Sequence, residues 1–229
     1  MSEKKTATRG AGLLILLGMI AGLLSVSPGV DGGDFITAVA AHKTQVMAAA
    51  FFQIVMMAAY VGFAVVLYPL LKRHSEGLAA GFLGFRLIGG AFILLGALLL
   101  PLLVSVSSEF VHGANAGEAH LPSLGRLLRT GRDLVNHVGM ILATNLGSLF
   151  LYALLFRAGW VPRWLSVWGL LGVVLAMSAS LLVLFGLVAV VTPTYLALNL
   201  PLVGQELVFA VFLIARGFDP RKVVFSEGV

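Results

Sequence analysis

Six stretches of the chain carry almost nothing but apolar residues, and glycine, proline or charged residues bound each of them: 11–27, 44–71, 77–104, 133–156, 164–191 and 195–215. At about 1.5 Å per residue each can cross, or nearly cross, a hydrocarbon layer about 30 Å thick, so each predicts a transmembrane helix. The pattern predicts an all-α, polytopic bundle of six transmembrane helices in a single domain over 1–229. One long connection interrupts it, 105–132, where Leu121, Leu124, Leu127 and Leu128 recur at helical spacing among basic residues. That spacing predicts an interfacial amphipathic helix in the outer loop. The first run follows Lys4, Lys5 and Arg9, and Ser25 and Ser27 are small enough for a signal-peptide cut. Pro28 stands just beyond and disfavours cleavage, so the run is expected to remain as the first span.

Charge sets the orientation. Lys4, Lys5, Arg9, Lys72, Arg73, Arg157, Arg163, Arg216, Arg221 and Lys222 fall on the side of the termini, against Lys43, Arg126, Arg129 and Arg132 opposite. Both termini are therefore expected in the cytoplasm. The formal net charge of +5 would suit a nucleic-acid partner in a soluble protein, but these cations stand in short groups between apolar runs. Nucleic-acid binding is excluded on that ground, which leaves membrane lipids as the expected partners. With 11% charged residues against about 25% in a soluble domain, the chain has no room for a sizeable soluble unit. There are no cysteines, which removes thiolate metal sites, iron–sulfur clusters and cysteine nucleophiles. Phosphate-loop, dinucleotide and serine-triad patterns are absent, and no cofactor is expected.

The polar residues inside the runs carry the candidate chemistry. Arg86 lies roughly 12 Å from the Lys72 and Arg73 end of its helix, too deep to stay charged without a partner. The only acidic residue comparably deep in another run is Glu206, which makes it the expected counter-charge. In the fourth run Asp133, Asn136, His137, Met140, Thr144 and Ser148 recur at steps of three and four, with Asn145 beside them. The second run offers His42, Gln45, Gln53 and Tyr60, and the sixth places Asn199 and Glu206 two turns apart, next to Gln205. Polar faces that cannot point at lipid should converge. The expected result is an outward-facing polar cavity for a small molecule or lipid, with Arg86, Glu206, Gln205, Asn199, His137, Asn136, Thr144, Gln53 and Tyr60 as ligand-binding candidates.

The plainer reading of the same pattern is interhelical hydrogen bonding worth about 0.6 kcal/mol per contact, among helices brought close by abundant glycines. Two other classes compete with a non-enzymatic binding protein. A small secondary transporter would need a discontinuous helix, for which Gly89 and Gly90 mark a place. A membrane-embedded, metal-dependent hydrolase would need a zinc site, for which His42, His112, His120 and His137 are the weak candidates, without any HExxH pattern.

Two local motifs remain. Leu67 to Arg73 (LYPLLKR) echoes Leu151 to Arg157 (LYALLFR), each closing a helix before a tight turn, as parallel repeats in transporters do. Trp160, Trp164 and Trp168 are spaced by four and predict one aromatic face beside Arg157 and Arg163 at the headgroups. The segment LFRAGWVPRWLSVWG (155–169), with LYPLLKRH (67–74), Gly84-Phe85-Arg86 and PLVGQE (201–206), resembles the DUF4386 family of bacterial integral membrane proteins. The resemblance implies six spans in a bacterial inner membrane, and no assigned activity. It also implies an acidic residue one turn after the arginine of Gly-Phe-Arg. Gly89 and Gly90 stand there instead, which again leaves Glu206 to answer Arg86.

Overall fold

The computed structural model describes residues 2–113 and 120–218, and everything below concerns those residues. The helices are α1 (Ser2–Leu24), α2 (Pro28–Asp31), α3 (Phe35–Ala41), α4 (Lys43–Leu71), α5 (Glu76–His112), α6 (Leu121–Leu134), α7 (Ile141–Ala158), α8 (Arg163–Leu184) and α9 (Pro193–Ala215). A π-helical segment, Val135–Met140, joins α6 to α7 without a break. Six helices are long and apolar enough to cross a membrane, with Leu121–Ala158 counted as one. The chain is an all-α, six-span membrane protein.

Local chemistry sets the helix ends. Ser75 accepts a hydrogen bond from the Leu78 amide at the start of α5, and Thr192 accepts one from Tyr195 ahead of Pro193 at the start of α9. Gly159 adopts a left-handed conformation (φ 62°) that stops α7 and turns the chain toward Pro162 and α8.

The spans pack as a closed ring in chain order: α1 on α4, α4 on α5, α5 on α7, α7 on α8, α8 on α9, and α9 back on α1. Gly12 makes the closure possible, because a Cβ there would stand 2.7 Å from the Ala210 carbonyl oxygen. Arg9 Nε then donates to the Ile214 carbonyl at 3.2 Å. In this ring α5 and α9 lie across from each other, two helices apart in either direction.

Two cores fill the molecule. The larger occupies the end where α1 begins and α9 finishes, the termini end, and includes Phe63, Leu67, Phe82, Tyr152, Trp160 and Phe209. The smaller, at the far end, joins Val30, Phe35, Ile36 and Val39 to Val46, Leu100 and Leu103.

Several boundaries differ from the sequence expectation. α1 starts at Ser2 and takes in the basic residues expected to precede it, and it ends at Leu24. α5 runs through Pro101 and Ser105 to His112, well past the expected end at 104, because Leu100, Leu103 and Val106 continue its buried face. α6 supplies the amphipathic helix expected in the long connection, with Leu124 and Leu127 exposed, but it is not a separate element. It continues the fourth span, and Leu121–Ala158 is 38 residues long, about 57 Å. Its small-residue face packs on protein, with Gly125 set against Phe35 and Ile36. α8 ends at Leu184, where Gly186 turns left-handed (φ 68°), short of the expected 191. The three tryptophans do not share a face. Trp160 precedes α8 and is buried between Phe218 and His74, while Trp164 and Trp168 stack on α8 with ring centroids 6.2 Å apart.

Candidate functional site

Tyr60, Arg86, Ser148 and Glu206 each stand about ten residues, or about 15 Å, from the termini end of their helices. Four different helices thus deliver polar side chains to one level near the middle of a 30 Å hydrocarbon layer. Arg86 occupies the buried face of α5 and is 4% exposed. Its Nη2 donates to Ser148 Oγ at 2.8 Å and lies 3.8 Å from Glu206 Oε1. The guanidinium carbon is 5.5 Å from the Tyr60 ring centroid, 5.4 Å from Phe63 and 5.8 Å from Phe82. Tyr60 and Glu206 lie close enough to interact electrostatically.

Glycine makes this geometry possible. A Cβ on Gly147 would stand 3.1 Å from the Phe82 carbonyl oxygen and 3.4 Å from the Arg86 nitrogen, so only a bare α-carbon lets α7 approach α5 this closely. Ser148, the next residue, then reaches the guanidinium while its own hydroxyl donates to the Thr144 carbonyl at 3.2 Å. The ion pair itself is loose. Its 3.8 Å exceeds the 2.7–2.9 Å of a good charge-assisted hydrogen bond, and Arg86 Nε, fully buried, has no partner.

A second cross-ring tie lies beside the first. The Tyr152 hydroxyl donates to Gln205 Oε1 at 2.7 Å, and Gln205 Nε2 donates to the Leu165 carbonyl at 3.2 Å. Gln205 is completely buried. Gly169 of α8 lies flat against the Tyr152 ring, where a Cβ would come within 2.8 Å. Three helices are thereby locked around one amide.

Toward the far end the interior stays polar. Gln53 is 4% exposed and its Oε1 has no partner. Asn136 is buried against Gly96, where any Cβ would displace its amide. His137 Nδ1 and the Tyr195 hydroxyl are 2.9 Å apart, and Asn199 donates to the Tyr195 carbonyl in its own helix. Thr144 likewise bonds back to Met140 and lies against Gly89. Above them Arg132 Nη1 meets Asp31 at 2.9 Å and Asp133 at 3.1 Å. Arg129 holds the Asp31 and Gly32 carbonyls and lies over Phe35, which pins α2 and α3 to α6.

The predicted candidates therefore fall into two levels. Arg86, Glu206 and Tyr60 meet directly, and Gln205 sits one residue from Glu206 in the adjoining tie. Gln53, Asn136, His137, Thr144 and Asn199 lie nearer the far end and do not touch that group. Gln45 is exposed and joins neither. His42 and His120 are exposed, and exposed His112 bonds the Ser108 carbonyl of its own helix. Among the described residues no three His, Cys, Asp or Glu side chains gather as a metal site would need. Gly89 and Gly90 do not interrupt α5. They make room for Thr144 and Val61, and the irregular backbone is in the fourth span instead.

Sequence reasoning passed over Tyr152, Tyr195, Phe63 and Phe82 as site residues. The signal was present for two of them: Tyr152 extends the Ser148 stripe by one turn, and Tyr195 precedes Asn199 by one turn. The two phenylalanines look like any other apolar residue, so nothing in the pattern marks them. The two halves of the sequence repeat also do different work, since Tyr68 lies under Lys72 at the surface while its counterpart Tyr152 is buried.

No curated protein and no solved structure matches this chain. The family model described as a domain of unknown function, DUF4386, matches residues 10–217. With nearly the whole chain covered, this six-span protein belongs to the DUF4386 family.

Proposed function

We propose that the protein is a non-enzymatic membrane protein that binds a small molecule or a lipid group in its polar interior, entered from the side opposite the termini, with Arg86 as the anchor. By the charge asymmetry of the loops that side faces outward across a bacterial cytoplasmic membrane. The observation that carries the reading is the state of Arg86: a guanidinium near the bilayer midplane, with its carboxylate 3.8 Å away and a buried Nε that has no acceptor among the described residues. An interhelical tie alone accounts for the Ser148 bond. It leaves the unused donor unexplained, since an unsatisfied buried polar group costs about 1–3 kcal/mol. The buried, unpartnered Gln53 Oε1 supports the same reading on the route toward the far end.

Native mass spectrometry of the protein released from mild detergent tests it. The wild type should carry a bound species that Arg86→Gln loses while keeping its helical fold. A wild type without any adduct, or an unchanged adduct on folded Arg86→Gln, defeats the reading.

A transporter is the second reading, favoured by the π-helical segment that contains Asn136 and His137, since such insertions concentrate at functional sites. Uptake into proteoliposomes of whatever species the first experiment identifies would distinguish carriage from storage. The hydrolase reading gains no support from histidines that stand apart.

A further inference from the structure

Charge neutrality at Arg86 restricts what the interior can take, and this inference rests on the binding reading above. The groups that face Glu206 can be named helix by helix. α5 brings Arg86, α4 brings Tyr60, and α7 brings Tyr152. Past Arg9 and Arg163, near their termini-end starts, α1 and α8 contain no ionisable side chain. Arg86 and Glu206 thus form one cation and one anion, spanning the ring and balancing each other.

An anion that docks on the guanidinium must take the place of the Glu206 carboxylate. If Glu206 stayed ionised, the hydrocarbon interior would hold one uncompensated negative charge, which is strongly unfavourable. If Glu206 takes up one proton as the anion arrives, neutrality is kept. The Tyr60 hydroxyl, an electrostatic neighbour of that carboxylate, can accept from the protonated form, because a phenol both donates and accepts. A dianion would leave an excess charge even then. The guanidinium fork matches a carboxylate's two oxygens, and the rings of Tyr60, Phe63 and Phe82 offer an apolar surround for an organic body.

We propose that the Arg86 site takes an organic monocarboxylate and that each anion bound is accompanied by one proton taken up at Glu206. The carboxylate pairs with the guanidinium, the Arg86 to Glu206 pairing breaks, and one O–H bond forms on Glu206 with a proton drawn from water. Nothing is oxidised or reduced.

Equilibrium dialysis with radiolabelled benzoate tests this on the full-length protein in mild detergent, from about pH 6 to about pH 8, where the ligand stays ionised. The wild-type Kd should rise about tenfold per pH unit over the range in which free Glu206 is ionised. A pH-stat should record one proton consumed per benzoate bound. Glu206→Gln should bind benzoate with a Kd that no longer depends on pH, and Arg86→Gln should not bind it. Terephthalate, which carries two carboxylates, should bind far more weakly than benzoate. A flat wild-type Kd with no proton uptake overturns the proposal, as does a full slope in Glu206→Gln or equal affinity for terephthalate. The first two measurements use only the wild type, so a variant that fails to fold does not remove the test. If benzoate fails to bind at any pH while native mass spectrometry still finds an Arg86-dependent species, the monocarboxylate assignment falls and the binding reading stands. If both fail, both fall.

Discussion

Replacing Glu206 with leucine tests the central tie most directly. At the observed 3.8 Å and an effective dielectric near 20, the attraction between the two charges is about 4 kcal/mol. Removing one member of such a buried pair typically costs about 3–5 kcal/mol, because the remaining charge stays buried without compensation. Arg86 would keep its bond to Ser148 and its three aromatic neighbours, which places Glu206→Leu toward the lower end of that range. Arg86→Leu should cost a similar amount. The double variant places two apolar side chains where the pair met and should recover most of the loss, as buried pairs replaced by packed hydrophobic residues often do. The measurement is unfolding in mixed micelles, titrated with denaturing detergent, for all four proteins. A coupling energy of about 3 kcal/mol is expected. Single losses that add within about 0.5 kcal/mol would refute the argument, because non-interacting sites behave in that way.

Other changes probe the surrounding packing. Tyr152→Phe leaves the buried Gln205 Oε1 without its donor and should destabilise the protein by about 1–3 kcal/mol in the same assay. Gly169→Ala drives a methyl into the Tyr152 ring and should cost about 1–3 kcal/mol, whereas Gly84→Ala, which meets open space, should cost nothing measurable or slightly stabilise its helix. Gly96→Ala should be rescued by Asn136→Ala, since the methyl needs the volume the amide occupies, and no rescue would mean that the two do not compete. Arg132→Gln should raise hydrogen exchange across 28–41 while leaving the spans protected, because it loosens the contact with Asp31 that pins α2 and α3.

Much of this was legible in the residues. Arg86 and Glu206 could be paired on paper because each was the only deep charge of its sign, and a buried charge demands an answer wherever the helices stand. The polar stripe on the fourth span was readable for the same reason: asparagine, threonine and serine on one helical face exclude lipid there. The stripe's meaning was less accessible. Thr144 and Asn199 spend their hydrogen bonds within their own helices, and only Ser148 reaches Arg86, through a contact that depends on Gly147 in α7 meeting Phe82 in α5. The leucine stripe of α6 was readable as well, and Leu124 and Leu127 stand exposed on it. Its packed side was not, because Gly125 lies against Phe35 and Ile36, and those residues are almost ninety positions away. Trp160 was misassigned to a headgroup belt because periodicity assumes a helix, and α8 starts only at Arg163, three residues later.

What the amino-acid order determined alone was the solvent. Long apolar runs can exist only in hydrocarbon or in a large core, so the number of spans and the absence of a soluble unit follow from transfer energetics residue by residue. What the tertiary structure decided was the ring: that α1 closes against α9, that α5 therefore faces α9 across the interior, and that a midplane arginine, a carboxylate, a serine and a tyrosine occupy one level. Those facts depend on glycine-sized gaps between particular helices. Close packing is a property of pairs of surfaces, and no single stretch of chain contains both.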